Sequence, residues 1–136
     1  MNNLELIKEA KEVLNPLRIG DDCVGDVGAA ILTSDGNVFK GVSVDFGSGL
    51  GCCAERIAIG NMFTNKSYKI KKVVAVWNNN PKKELFVLPP CGACRHYMYN
   101  IVEDGGDIEV VLSASKSVKL KDLLPLGGWD VEKVNI

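Results

Sequence analysis

Cys53-Ala54-Glu55-Arg56 and Pro90-Cys91-Gly92-Ala93-Cys94-Arg95 each mark a point where a loop gives way to a helical stretch, and both helices begin on cysteine. The first follows residues 46–51, Phe-Gly-Ser-Gly-Leu-Gly, a flexible loop, and leads into a predicted helix over about 53–65. The second follows Pro89-Pro90. It places Cys91, Cys94, Met98, Ile101 and Val102 on one stripe and closes at Gly105-Gly106. Cys91 and Cys94 are three positions apart, hence about one turn from each other on the same face. A thiolate at a helix start is favoured by the free N–H groups and the local positive potential, which lower its pKa. Three thiolates from two helix starts can fill three corners of a tetrahedron around zinc. The fourth corner then stays open, as a catalytic site requires.

Glu55 lies two residues past Cys53, a spacing that points side chains roughly opposite ways inside a regular helix. The two converge only if Cys53 sits at the cap with non-helical dihedrals. Granted that, Glu55 faces the open corner without binding the metal. A carboxylate there can take a proton from an activated water and deliver it to a leaving nitrogen. Arg56 and Arg95 follow close on the metal-binding positions, Arg95 directly after Cys94 and Arg56 directly after Glu55. A guanidinium on the sulfurs offsets the negative charge of a tris-thiolate centre, and Arg56 is the better placed for it.

Around these stretches the pattern is helix, hairpin, helix, strand, helix, strand. Leu4, Ile7, Ala10, Val13, Leu14 and Leu17 have helical spacing over residues 3–17, with Pro16 ending or breaking the helix. Val27–Leu32 and Val38–Val44 read as strands joined by the turn Ser34-Asp35-Gly36-Asn37. Val73–Trp77 is a short strand bounded by Asn78-Asn79-Asn80-Pro81, and a second loop runs from there to Pro89-Pro90. Val110–Leu112 reads as a strand and Leu120–Leu124 as a short helix before Pro125. The order predicts an α/β sheet with helices on both faces.

Composition sets the outer bounds. The 136 residues argue for one domain, 1–136, and at 46% hydrophobic and 24% charged the chain is ordinary for a globular protein. A formal net charge of −1 provides no electrostatic reason to expect nucleic acid or an anionic membrane as partner. No apolar run is long enough to span a bilayer, and Met1-Asn2-Asn3-Leu4-Glu5 has neither the basic start nor the apolar run of a signal peptide, so the expected compartment is the cytoplasm. Five cysteines in a reducing compartment read as ligands or core residues rather than disulfides.

The paired motif, a metal ligand, one residue, then glutamate, followed later by P-C-x-x-C, resembles the signature of the cytidine deaminase family. The first ligand here is cysteine rather than histidine, which is similar to the small single-domain nucleoside deaminases and unlike the tRNA and polynucleotide editors. The likeness runs from about Val27 to Leu124 and takes in Gly28-Ala29-Ala30, Asp35-Gly36, Gly41-Val42 and Leu123-Leu124-Pro125. It implies a three-layer α/β/α fold with a central mixed sheet of about five strands. It also implies one zinc per chain on Cys53, Cys91 and Cys94, and a small-molecule nucleoside as substrate. The implied reaction is hydroxide attack on C4 of a cytosine ring and loss of ammonia, with Glu55 moving the protons. The backbone of Ala54 would hold the base carbonyl, and the carbonyl of Pro89 stands where the family often has serine. The family is commonly tetrameric, so a homo-oligomer is expected, with Trp129 either in the core or at a subunit interface.

The sugar-binding part departs from the family. Where cytidine deaminases usually read Asn-x-Glu, this chain has Ser43-Val44-Asp45, still hydrogen-bonding but shorter. The loop onward to Cys53 is one residue shorter than the pattern. Gly25 stands where the family often places a base-stacking phenylalanine, and Phe46 is the candidate to replace that surface. Blasticidin S deaminase, a relative acting on a cytosine antibiotic, shares some of these departures.

Other readings of the same residues compete. A structural zinc knuckle needs a fourth ligand, and Cys52 and His96 are available for it. A redox C-x-x-C needs neither Cys53 nor Glu55. Cys23 and Cys52 read as core residues, and His96 as a surface residue. Gly47, Gly49 and Gly51 lack phosphate-loop spacing. Asp45 reads equally as a substrate ligand and as a turn former.

Overall fold

A computed structural model of the chain describes residues 1–47, 49–79, 82–127 and 131–136. Asn2 caps helix α1 (Asn3–Glu12) through a reciprocal box: its side chain accepts from the Glu5 N–H, and the Glu5 carboxylate accepts from the Asn2 N–H. The helix stops well before Pro16, earlier than the spacing of Leu14 and Leu17 predicts. The residue before a proline is steered away from helical dihedrals, and the Asn15 N–H instead bonds the Gly25 carbonyl. Leu17 joins a small hairpin, β1 (Leu17–Ile19) and β2 (Asp22–Val24), that its local pattern does not announce.

The main sheet is built on two strands. β3 (Val27–Thr33) pairs antiparallel with β4 (Val38–Val42) across the turn at Gly36, whose positive φ of 86° suits glycine. Helix α2 (Ala54–Thr64) follows, then β5 (Ile70–Asn79), which pairs antiparallel with β3. β5 continues beyond the predicted Val73–Trp77 at both ends, so Asn78 and Asn79 belong to the strand; Asn80 and Pro81 of the predicted turn lie outside the described residues.

β6 (Glu84–Leu88), read from the sequence as loop, pairs antiparallel with β5. After helix α3 (Gly92–Ile101) and a single 3₁₀ turn at Gly105–Asp107, β7 (Glu109–Val111) joins β5 in parallel, β8 (Ser117–Lys119) pairs with β7, and α4 (Leu120–Leu123) ends the core. Among the described residues the result is a mixed six-stranded sheet, order β4-β3-β5-β7-β8 with β6 beside β5. Ala75 faces both Ala29 and Leu88, while Val73 faces both Ile31 and Val110, so β6 and β7 lie end to end along one side of β5.

Strand alternation divides the core. Ala30, Leu32, Val74, Val76 and Val111 meet Leu6, Ile7 and Ala10 of α1 on one face. Ala29, Ile31, Val73, Ala75 and Val110 meet α2, α3 and α4 on the other through Ala58, Ile59, Met62, Cys94, Met98 and Leu120. This is the three-layer arrangement expected. Each fully buried Leu, Ile or Met contributes about 1.5–3 kcal/mol. Of the stripe predicted on α3, Cys94 and Met98 are buried within the helix and Val102 at its C-cap, whereas Cys91 precedes the helix and Ile101 is 42% exposed. Nor does α3 run on to Gly105-Gly106; the turn there is made by Asp104 at a φ of 55°. Among the described residues no helix is long and apolar enough to cross a membrane. Trp129 lies outside the described residues.

Gly41 lets α2 sit directly on β4: a Cβ there would lie 2.5 Å from the Ala58 nitrogen and 2.9 Å from the Ala54 oxygen. Gly41→Ala is therefore expected to cost about 1–3 kcal/mol in urea denaturation, because backbone rather than a flexible side chain must give way. Gly60 of the same helix faces open space, and Gly60→Ala should be neutral or stabilise by up to about 1 kcal/mol. Equal midpoints for the two variants would contradict the packing described.

Candidate metal centre

Both helices that begin on cysteine do so at the cap. Cys53 precedes α2 at φ −66° and ψ 151°, and Cys91 precedes α3 at φ −67° and ψ 168°. These extended dihedrals are what allow Cys53 and Glu55 to serve one site. The thiols of Cys53, Cys91 and Cys94 lie within 4.8 Å of one another, with Cys53 Sγ and Cys91 Sγ 3.5 Å apart. Zinc–sulfur bonds of about 2.3 Å in a tetrahedron set sulfurs about 3.8 Å apart, so the donor set fits zinc in both chemistry and spacing. Among the described residues no other cysteine, histidine or carboxylate joins this group. Cys52 is half-buried beside it, and His96 is exposed with its ring 3.4 Å from the Asn100 amide.

Several local contacts aim the thiols. The Val44 and Cys52 backbones bond each other at 3.0 and 2.7 Å, closing the intervening loop on itself and delivering Cys53 to the helix start. Gly51 fits because the Asp45 carboxylate fills the space a side chain would need. Arg95 Nε donates to the Pro90 carbonyl at 2.8 Å and its Nη1 to the Leu123 carbonyl at 3.2 Å, tying the second cysteine turn to α4 rather than to the sulfurs. Arg56 takes the electrostatic place instead, its Nη2 lying 3.9 Å from Cys53 Sγ. Among the described residues Arg56 Nε is buried without a partner.

The charges are in conflict when the thiols stand alone. Burial pushes the Cys53 thiol up, helped by the Cys91 thiol and opposed by Arg56. Burial, then the Glu55 charge and the two neighbouring thiols, pushes Cys94 far up. Cys91 is drawn down despite burial, through the Cys94 N–H and the thiols of Cys53 and Cys94. Three sulfurs in this space cannot all ionise without a cation among them, and a dication resolves the conflict. Glu55 is 5% exposed and its Oε2 accepts from Cys94 Sγ at 3.7 Å; burial holds its carboxyl above the usual range.

The centre opens into a cavity of about 310 Å³. Of the residues predicted from sequence, Ser43, Asp45, Cys53, Ala54, Glu55, Pro89 and Cys91 line it. Phe46 is 43% exposed and is not among the described lining residues. Asp26, Cys23, Val27, Cys52 and Leu88 also line it and were not assigned to a site from sequence. For Asp26 a signal existed: an acid caught between a glycine and the apolar run of β3.

Residues 2–105 match the cytidine and deoxycytidylate deaminase zinc-binding region. The chain is 29% identical over 128 residues to the blasticidin-S deaminase of Bacillus cereus, covering 91% of this chain and 90% of that protein. It is 31% identical over 114 residues to the cytidine deaminase of Halalkalibacterium halodurans, with 80% of each covered. The crystal structure of cytidine deaminase from Burkholderia pseudomallei matches with a TM-score of 0.74 and 30% identity, over 92% of this chain and 98% of that one. Fold and centre thus define a zinc-binding hydrolase that acts on the C–N bonds of cyclic amidines. The chain belongs to the cytidine and deoxycytidylate deaminase family.

The position of Glu55 has a consequence for the metal-free protein. Its folded-state pKa lies above the unfolded value. Glu55 therefore costs nothing below the ordinary carboxylate range and costs progressively more as pH rises through the folded value. Without metal, Glu55→Gln should be more stable than the parent at neutral pH and equal to it near pH 4 by urea denaturation. A parent that gained on the variant with rising pH would contradict the burial described.

Proposed function

We propose that the chain deaminates a cytosine nucleoside, cytidine or deoxycytidine, to the corresponding uracil nucleoside with release of ammonia, using one zinc held by Cys53, Cys91 and Cys94. Its main support is the cavity floor, where three converging thiols and the buried Glu55 carboxylate meet beside a free helix start. Zinc supplies a water acidified to a pKa of about 7.

The chain's own residues do the rest. Glu55 accepts the water proton and passes it to ring N3. Once the water oxygen has bonded to C4, Glu55 takes the second proton from that C4 hydroxyl and passes it to the amine as the C4–N bond breaks, leaving a C4 carbonyl, so water enters and ammonia leaves. A buried carboxylate whose pKa burial raises suits this work, because it is a stronger proton acceptor than an exposed one. The Ala54 N–H at the first position of α2 has no helical acceptor and can hold the base carbonyl. The Pro89 carbonyl can accept from the departing amine. Arg56 offsets the charge of the thiolates from the Cys53 side.

A modified cytosine nucleoside such as blasticidin S is the second reading. It is favoured by the extended match to the B. cereus protein and by the short Ser43 and Asp45 side chains. A structural zinc module is disfavoured by a three-member ligand group that opens into a cavity. Light scattering on the zinc-loaded protein checks the homotetramer that the family resemblance implies.

The zinc-loaded protein is expected to deaminate cytidine or deoxycytidine with a higher kcat/KM than N4-substituted cytidines or blasticidin S, followed by ultraviolet absorbance. The opposite order assigns the modified nucleoside, and no turnover with zinc bound contradicts the enzyme reading. Glu55→Gln should keep the zinc and lose turnover by about 10²–10⁴-fold or more, since only the proton carrier is removed. Activity within tenfold of the parent would give that role to another residue.

A further inference from the structure

Asp26 lines the cavity between β2 and β3, and both of its carboxylate oxygens are engaged. Oδ1 accepts from the Ser43 hydroxyl at 3.3 Å, and Oδ2 accepts from the Trp77 indole Nε1–H at 3.2 Å. Ser43 Oγ itself accepts from the Val27 N–H at 3.2 Å. These partners fix the hydroxyl proton by chemistry alone. A carboxylate only accepts and a backbone N–H only donates, so the proton of Ser43 is committed to Asp26 and one lone pair to Val27. One lone pair remains for the cavity.

We infer that Asp26 is a positioning residue that makes Ser43 an obligate acceptor toward the ligand, so that the site selects a cytosine nucleoside presenting a hydrogen-bond donor to Ser43. The inference rests on the nucleoside reading above. Its rigidity comes from three strands: Asp26 leads into β3, Ser43 directly follows β4, and Trp77 belongs to β5, with its ring packed on Phe86 at a centroid distance of 5.6 Å. Ser43 is 6% exposed, which leaves little solvent to reverse its orientation. A ligand that offers only an acceptor there meets lone pair against lone pair. A hydroxyl or ammonium group completes the set.

Asp26→Asn keeps the shape and reverses the polarity. The Trp77 indole can only donate, so the new amide oxygen turns to it and the amide NH₂ turns to Ser43. Ser43 then accepts twice, and its proton is released into the cavity. The test uses zinc-loaded Glu55→Gln protein, which holds substrate unconverted. It is titrated with cytidine and with its 2′- and 3′-amino and 2′- and 3′-fluoro analogues, with and without Asp26→Asn, and binding is followed by NMR of the Trp77 indole N–H. At one of the two sugar positions the hydroxyl or amino group should bind roughly tenfold more tightly than fluorine. Asp26→Asn should abolish or invert that preference and shift the Trp77 resonance even without ligand. A merely structural role would weaken all analogues together. Binding with an unaltered preference in Asp26→Asn, no preference at either position in the parent, or an unmoved Trp77 resonance overturns the inference alone. Failure of every cytosine nucleoside to bind overturns the functional reading, and the inference with it.

Discussion

Two cysteines with extended backbone, each standing one residue before a helix, determine what this protein can do. Were Cys53 inside α2, its thiol and the Glu55 carboxylate would point apart; at the cap they share one cavity floor. The same geometry at Cys91 turns a C-x-x-C pair toward that point. Burial disfavours the charged forms of Cys94 and Glu55, so ionising the thiols and the carboxylate together is unfavourable when no cation is present. Packing elsewhere must hold the arrangement. Gly41 lets α2 rest on β4, the Val44–Cys52 bridge closes the loop, and Arg95 ties the second turn to α4. The fold presets a centre whose energetic return comes with the metal.

The parts of the fold that carry this centre were legible in the amino-acid sequence. β3, β4, α2 and α3 show the apolar periods and flanking turns that local pattern reading depends on, and the cysteine spacing pointed to the helix starts. What escaped reading was set by partners rather than by local pattern. β6 keeps Leu85 and Phe86 substantially exposed and is defined by its ladder to β5. β5 takes in Lys72, a residue that argues against a buried strand until its amine is seen 3.0 Å from Asn3 Oδ1 and 3.6 Å from Glu109. The three-residue strands β1, β2 and β8 are too short to show a period.

Within the site the same division holds. Cysteine and glutamate spacing marks chemistry because metal ligation and proton transfer need particular atoms at particular places. The substrate wall is drawn from chain segments far apart in sequence, so Asp26, Ser43 and Trp77 meet only once three strands are paired. Phe46, proposed from the loop as a base-stacking surface, lies 43% exposed and outside the described lining. Family membership therefore accounts for the reaction class, whereas in our proposal substrate choice rests on hydrogen-bond polarity along a wall that this chain builds with its own residues.

The absorbance spectrum of cobalt-substituted protein tests the centre most directly, because it reports ligand type, coordination number and vacancy together. One cobalt(II) per chain should give thiolate charge-transfer bands and intense tetrahedral d–d bands, and the latter should move when a cytosine nucleoside is added. A protein that takes up no cobalt, or one whose four-thiolate spectrum ignores the nucleoside, would contradict an open centre built from Cys53, Cys91 and Cys94.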